Sequence, residues 1–140
     1  MSGENGKRFR AALVQLRASR AIHPNLDQVE ALIRLAAKGG ANYVQTPENT
    51  ALMELEPARV LAQVQPEAES VPLQRLRALA AELGIWLHAG SLGIKIAEAR
   101  VANRSYLIGP AGDIAARYDK LHMFDVDLAG GESYRESEYY

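Results

Sequence analysis

The sequence predicts an α/β fold, a mixed β-sheet with its helices packed on one face. Three observations carry that expectation. Two stretches with apolar residues at three- and four-residue spacing each end in glycine, and a β-prone run follows each directly. Residues 9–18 place apolar side chains on both alternations of a strand, the pattern of a strand covered on two sides. A Gly109-Pro110-Ala111-Gly112-Asp113 turn separates two further β-prone runs.

In the first strand, Phe9, Ala11, Leu13 and Gln15 fall on one side, and Ala12, Val14 and Leu16 on the other. Pro24 and Asn25 then open a helix whose stripe is Leu26, Val29, Leu32, Ile33, Ala36 and Ala37. Asn25 is its expected cap, with Gln28 three positions later, and Gly39-Gly40 its stop. Residues 41–46 form a short strand halted by Pro47, which leaves Pro47-Glu48-Asn49 at the carboxyl end of a strand, the edge where α/β proteins usually keep their chemistry. Residues 52–65 read as a short helix or irregular connection with Pro57 in a first turn.

A second helix starts at a capping Ser70, carries the stripe Leu73, Leu76, Leu79, Ala80 and Leu83, and closes at Gly84. Residues 85–92 form a buried strand, and residues 102–108 and 114–118 an antiparallel hairpin around the glycine-rich turn. After Asp119 the composition turns aromatic, acidic and glycine-containing through Tyr140, and the segment is expected to be a functional loop without regular structure. No internal repeat or low-complexity tract interrupts this order. A mixed sheet with both helices on one side has a second face to cover. Its apolar positions predict a second sheet there, supplied by further chain or by another subunit.

Bulk properties narrow the function. The 140 residues, 48% hydrophobic, suffice for one domain with a real core. Sixteen basic and 17 acidic residues give a net charge of -1, so no field recruits nucleic acid or an anionic membrane. No apolar run approaches the roughly 20 residues that span a bilayer. The polar start over residues 1–10 lacks the apolar stretch of a secretion signal, so a soluble cytoplasmic protein is expected. The cysteine count is zero, which removes disulfides, thiolate metal sites and a cysteine nucleophile from these residues.

Glu48, behind a proline at a strand end, has the fixed placement that a general base requires, although carboxylates there also serve as helix caps or solvated loop residues. Lys120 lies among aromatic and apolar neighbours just past a strand. It suits a carboxylate partner and donation to an oxyanion, or else a surface pair with adjacent Asp119. His88, inside a strand, reads as a satisfied core residue; with His122, Asp125, Asp127 and Glu132 it matches no recognised metal-ligand spacing. Arg100, Asn103 and Arg104 suit substrate contact or turn and cap roles equally, and Gly130-Gly131 lacks the strand-to-helix context of a phosphate loop.

Taken together, Thr46-Pro47-Glu48-Asn49, Asn103-Arg104-Ser105, Tyr118-Asp119-Lys120-Leu121-His122-Met123-Phe124-Asp125 and Gly130-Gly131-Glu132-Ser133-Tyr134-Arg135-Glu136-Ser137 resemble, in the right order, the nitrilase superfamily of carbon-nitrogen hydrolases. The likeness runs from Arg10 onward and is strongest to the branch of omega-amidases and of the amidase that clears deaminated glutathione. It implies a nitrilase-type α-β-β-α sandwich, of which residues 1–140 would be one domain's N-terminal half. It further implies hydrolysis of an amide, less readily a nitrile, by a glutamate, a lysine and a cysteine with no metal or organic cofactor.

By the same resemblance Glu48 is the general base, Lys120 the oxyanion stabiliser, and Glu136 an additional glutamate that positions substrate or supports the lysine. The family's cysteine lies a few dozen residues past the lysine, beyond Tyr140. The chain alone is therefore expected to be inactive and to be part of a complete enzyme. That enzyme would act on a small carboxylate-bearing amide, such as that of a 2-oxo dicarboxylic acid, and form a homo-oligomer. Two other readings stand beside it: a non-catalytic assembly module that dimerises through its uncovered sheet, and a Glu48–Lys120 pair that is only structural.

Overall fold

The computed structural model describes residues 9–127, 130–131, 133–138 and 140. Along the chain run β1 (Ala11–Leu13), α1 (Ile22–Lys38), β2 (Tyr43–Gln45), α2 (Pro57–Gln63), α3 (Val71–Leu83), β3 (Trp86–Ala97), β4 (Arg100–Ile108), β5 (Ile114–Asp119), β6 (Asp125–Asp127) and β7 (Ser133–Arg135). Short 3-10 turns at Glu67–Glu69 and Glu136–Glu138 precede α3 and follow β7. The five longer-range strands form one mixed sheet in chain order. Strands β1, β2 and β3 run parallel, and β3, β4 and β5 antiparallel.

Each glycine-stopped helix delivers the next strand. α1 presents Leu26, Val29 and Ile33, and α3 presents Leu73, Leu76, Leu79 and Ala80, to one face of the sheet. There they pack on Val44, Leu87, Ala89, Leu92, Ile94, Tyr106 and Ile108. Ser70 caps α3 by accepting from the Leu73 N–H, and Gly84 ends it in the left-handed region, φ 63°. Arg34 with Glu82, and Arg75 with Asp27 and Glu30, pair α1 to α3 on the outside.

Four expectations need correction. The first strand is three residues long rather than ten, because its partner β2 is equally short, and its outer side is bare: Leu13 is 78% exposed. Asn25 is not a cap. It lies inside α1, buried, and its amide accepts from Ser19 and donates to the Ser19 and Ala51 carbonyls, tying two loops to the helix. The strand expected to stop at residue 92 continues through Ala97, because Leu92 to Ala97 pair antiparallel with Arg100 to Arg104 as a direct hairpin with β4; Gly93 leaves room there for Val64, whose Cγ1 would lie 3.0 Å from a Cβ. The stretch after Asp119 contains regular structure, with β6 and β7 pairing as a small antiparallel ribbon.

Among the described residues, the sheet's second face is covered only at the end of the β3–β4 hairpin, where Val60 and Val64 pack on the buried Val101, and is bare over the rest. Phe9, Leu13, Trp86 and Tyr118 are exposed there, beside Tyr43, Gln45, His88 and Leu107. Among the described residues no helix is long and apolar enough to cross a membrane.

Candidate active site

The chain leaves β2 at Gln45 and turns through Thr46-Pro47-Glu48-Asn49, and a break in the regularity of β3 holds this turn. Pairing between β3 and β4 shifts between Ala89 and Leu92. A Cβ on Gly90 would lie 2.2 Å from the Thr46 carbonyl oxygen and 2.5 Å from the Pro47 carbonyl carbon, so only glycine permits this approach. Around it, the Gly90 N–H donates to Thr46 Oγ1, the Asn49 N–H to Ser91 Oγ and the Thr50 N–H to the Ser91 carbonyl. Thr50 Oγ1 donates back to the Pro47 carbonyl, and Asn49 adopts φ 53°. The turn is fixed before any charge is considered, and it brings Glu48 to Asn103 of β4 and the end of β5.

Lys120 arrives from the other direction. It follows the last residue of β5, and its N–H donates to the Asn103 carbonyl at 2.9 Å, which extends the ladder one step. Lys120 Nζ lies 2.9 Å from Glu48 Oε1 and 2.9 Å from Glu136 Oε2. Asn103, buried, donates from Nδ2 to the same Glu48 Oε1 at 2.7 Å. Both bonds to Glu48 land on Oε1, so Oε2 carries neither of them.

Glu136 begins the 3-10 turn after β7. Its carboxylate accepts from the Phe124 N–H, and its own N–H donates to the Phe124 carbonyl, so the ribbon's base is pinned to Lys120. The sheet thus brings together all three residues singled out as catalytic candidates. Their side chains grade from solvent to interior: Glu48 is 53%, Lys120 29% and Glu136 6% exposed.

Burial pushes the Glu48 carboxyl up, but the Lys120 ammonium and the Asn103 amide outweigh it and hold the group below its ordinary value. Burial lowers Lys120, whereas Glu136 and Glu48 more than offset that and keep it above the usual lysine value. At neutral pH the pair is therefore carboxylate and ammonium. An ammonium has three donors, and Lys120 Nζ has three oxygens in range, Glu48 Oε1 at 2.9 Å and Glu136 Oε2 at 2.9 Å and Oε1 at 3.2 Å; the last is the longest of the three contacts.

Other candidates resolve differently. Lys120 does not pair with its neighbour Asp119, because successive residues leave a strand on opposite faces; Asp119 meets Arg104 on the helix side instead. Arg104 accordingly faces away from Glu48, and Arg100 is exposed at the start of β4. His88 is half-buried on the open face rather than in the core, with Nδ1 2.8 Å from the Tyr43 hydroxyl. Asp125 accepts from the Ser137 N–H and hydroxyl, and Asp127 pairs with Arg135. Among the described residues no three histidine or acidic side chains converge as a metal set, and Glu132 lies outside the described residues. Sequence reasoning missed the Gly90-Ser91 cradle. Its signal was a glycine-serine pair inside an otherwise apolar strand.

The carbon-nitrogen hydrolase family model matches residues 10–140. The deaminated glutathione amidase of Yersinia enterocolitica is 34% identical over 137 residues, covering 96% of this chain and 47% of that protein. The omega-amidase of Mus musculus is 33% identical over 133 residues, covering 93% and 46%. This chain spans about half the length of these relatives. Among solved structures, the NitFhit protein of Caenorhabditis elegans superimposes with a TM-score of 0.80 at 26% identity, over 92% of this chain and 32% of that one. An amidase from Nesterenkonia sp. gives 0.70 at 29% identity, over 83% and 44%.

Proposed function

This chain belongs to the carbon-nitrogen hydrolase family, and from that premise we propose that Glu48, Lys120 and Glu136 are the charged part of an amide-hydrolysing centre completed by a cysteine outside these 140 residues. The observation that carries the reading is the shared ammonium: one lysine bridges a half-exposed and a buried carboxylate at the carboxyl end of parallel strands. Because the chain contains no cysteine, a second copy of it supplies no thiol either.

In this reading the thiol gives its proton to Glu48 Oε2 as sulfur adds to the amide carbon, and the carbonyl oxygen becomes an oxyanion held by Lys120 Nζ, which exchanges its longest contact, 3.2 Å to Glu136 Oε1, for the new charge. Collapse of the adduct returns the proton from Glu48 to the departing nitrogen, which leaves as ammonia. Glu48 then deprotonates a water that splits the thioester, releasing the carboxylic acid and the thiol. Glu136 holds Lys120 in place. The substrate we favour is a small carboxylate-bearing amide, such as the ω-amide of a 2-oxo dicarboxylic acid, in keeping with the named activities of the omega-amidase and deaminated glutathione amidase relatives.

Such chemistry needs a water-excluded pocket, whereas Glu48 is half-exposed here. We therefore assign residues 1–140 to the first half of a larger domain whose remaining half covers the bare sheet face and brings the cysteine, in a cytoplasmic homo-oligomer. The test is ammonia release from the amide of 2-oxosuccinate. The expected result is none from the 140-residue chain and turnover by the complete gene product. Turnover by the 140 residues alone would overturn the assignment. The exposed Phe9, Leu13 and Tyr118 also fit a second reading, an assembly module that dimerises through this face. A stable dimer of the 140-residue chain in light scattering, with no amide hydrolysed by the complete product, would favour it.

A further inference from the structure

A charge cluster on the helix side of β4 and β5 has no part in the proposed chemistry. The Arg104 guanidinium is 18% exposed; its Nε and Nη2 take both oxygens of Asp119, and its Nη1 takes Glu67 Oε2 at 2.8 Å. Tyr106 donates its hydroxyl to the same Glu67 oxygen, and Arg117 pairs with Glu67 Oε1. Glu67 stands in the 3-10 turn just before α3, so the cluster ties the β4–β5 pair to the helix layer.

What this cluster fixes follows from strand geometry. Arg104 and Asp119 are register partners, and the residues that follow Arg104's rung toward the site, Asn103 and Lys120, lie on the opposite face. A one-residue slip of β5 would exchange the faces, carrying Lys120 to the helix side and Asp119 toward Glu48. Hydrophobic pattern does little to prevent that slip. β5 is the edge strand, its residues Ala115, Ala116, Arg117 and Tyr118 are exposed, and its pairing already shifts by one residue between Leu107 and Ile108. A planar guanidinium gripping a carboxylate through two bonds tolerates no such shift.

We propose that Arg104, bridging Asp119 and Glu67, is a positioning residue whose task is to lock the register of β5 so that Lys120 emerges on the face of Glu48. The role in catalysis rests on the function proposed above, but the lock itself is a structural claim with its own readout. A water-soluble carbodiimide joins an ion-paired carboxylate and amine with no spacer, and peptide mass spectrometry then quantifies the Lys120–Glu48 link in the full-length protein. Wild type forms that link. Arg104→Gln and, with Arg104 still paired to Glu67, Asp119→Asn lower its yield by about tenfold, the scale of losing charge-assisted hydrogen bonds. Arg104→Lys, which keeps charge without the fork, gives an intermediate yield.

Amide turnover falls in parallel with the link. Asp119 is half-exposed, so its variant remains informative if Arg104→Gln does not fold. An Asp119→Asn protein that melts cooperatively and links Lys120 to Glu48 at the wild-type yield overturns the lock, as does a wild type that never links them. A wild type that links them and hydrolyses no amide leaves the lock standing and removes the proposed function.

Discussion

The two faces of the sheet are built from the same strands and do different things. On the helix side, Val44, Leu87, Ala89, Tyr106 and Ile108 are fully enclosed, and the polar contribution is the Arg104 cluster at one end. On the opposite side, alternate residues of those strands carry exposed Leu13, Trp86 and Tyr118, and the Glu48–Lys120–Glu136 cluster stands at the carboxyl end of β2. The covered face supplies stability, whereas the other holds charge in a fixed position that grades from half-exposed Glu48 to buried Glu136. Rigidity at the site therefore comes through the sheet, from the Gly90 cradle and the β4–β5 register, rather than from a surrounding pocket.

The comparison can be broken by substitution on either face. Lys120→Met in the complete protein should lower kcat by roughly 100- to 1000-fold, the usual cost of one oxyanion donor, while cooperative melting persists. Activity retained per folded molecule together with lost stability would mean that the pair is structural. On the covered face, Leu87→Ala should cost about 2–5 kcal/mol in denaturant unfolding, because the side chain is wholly enclosed.

Acid should act on both faces with one sign. Glu48, Glu67 and Asp119 all sit below their ordinary values, Glu48 and Glu67 despite burial and Asp119 through its bonds to Arg104. A lowered folded pKa adds stability above the unfolded value, and that contribution is lost as pH falls through the folded one. Stability measured by melting should therefore be level near neutrality and decline below about pH 4, where free carboxylates titrate. The Arg104→Gln protein should show a shallower decline. Leu13→Ser, on the bare face, should change the unfolding free energy of the 140-residue chain by less than about 0.5 kcal/mol. A larger loss would mean that this face is already covered, for instance by a second copy.

Sequence periodicity made α1, α3 and the β4–β5 hairpin legible, since apolar spacing and terminal glycines report burial and helix ends directly. Asn25 misled because a capping asparagine and a buried one that ties down two loops look alike until the loop carbonyls are located. The ribbon of β6 and β7 escaped because three-residue strands of charged and aromatic residues have no period to detect. At the site, local reading left open a pair of Lys120 with Asp119, whereas strand alternation sends them to opposite faces. The contact between Lys120 and Glu48 joins residues 72 positions apart, and no local signal encodes that distance; only the resemblance paired them.

The central claim is that Glu48 serves as a proton acceptor and not merely as a counter-ion. Glu48→Gln in the complete protein retains the Asn103 and Lys120 neighbours and removes the basic oxygen. With the 2-oxosuccinate amide as substrate, ammonia release should fall by roughly 100- to 10,000-fold with the melting temperature little changed, the range of a lost general base. A Glu48→Gln protein that releases ammonia at the wild-type rate would contradict the account.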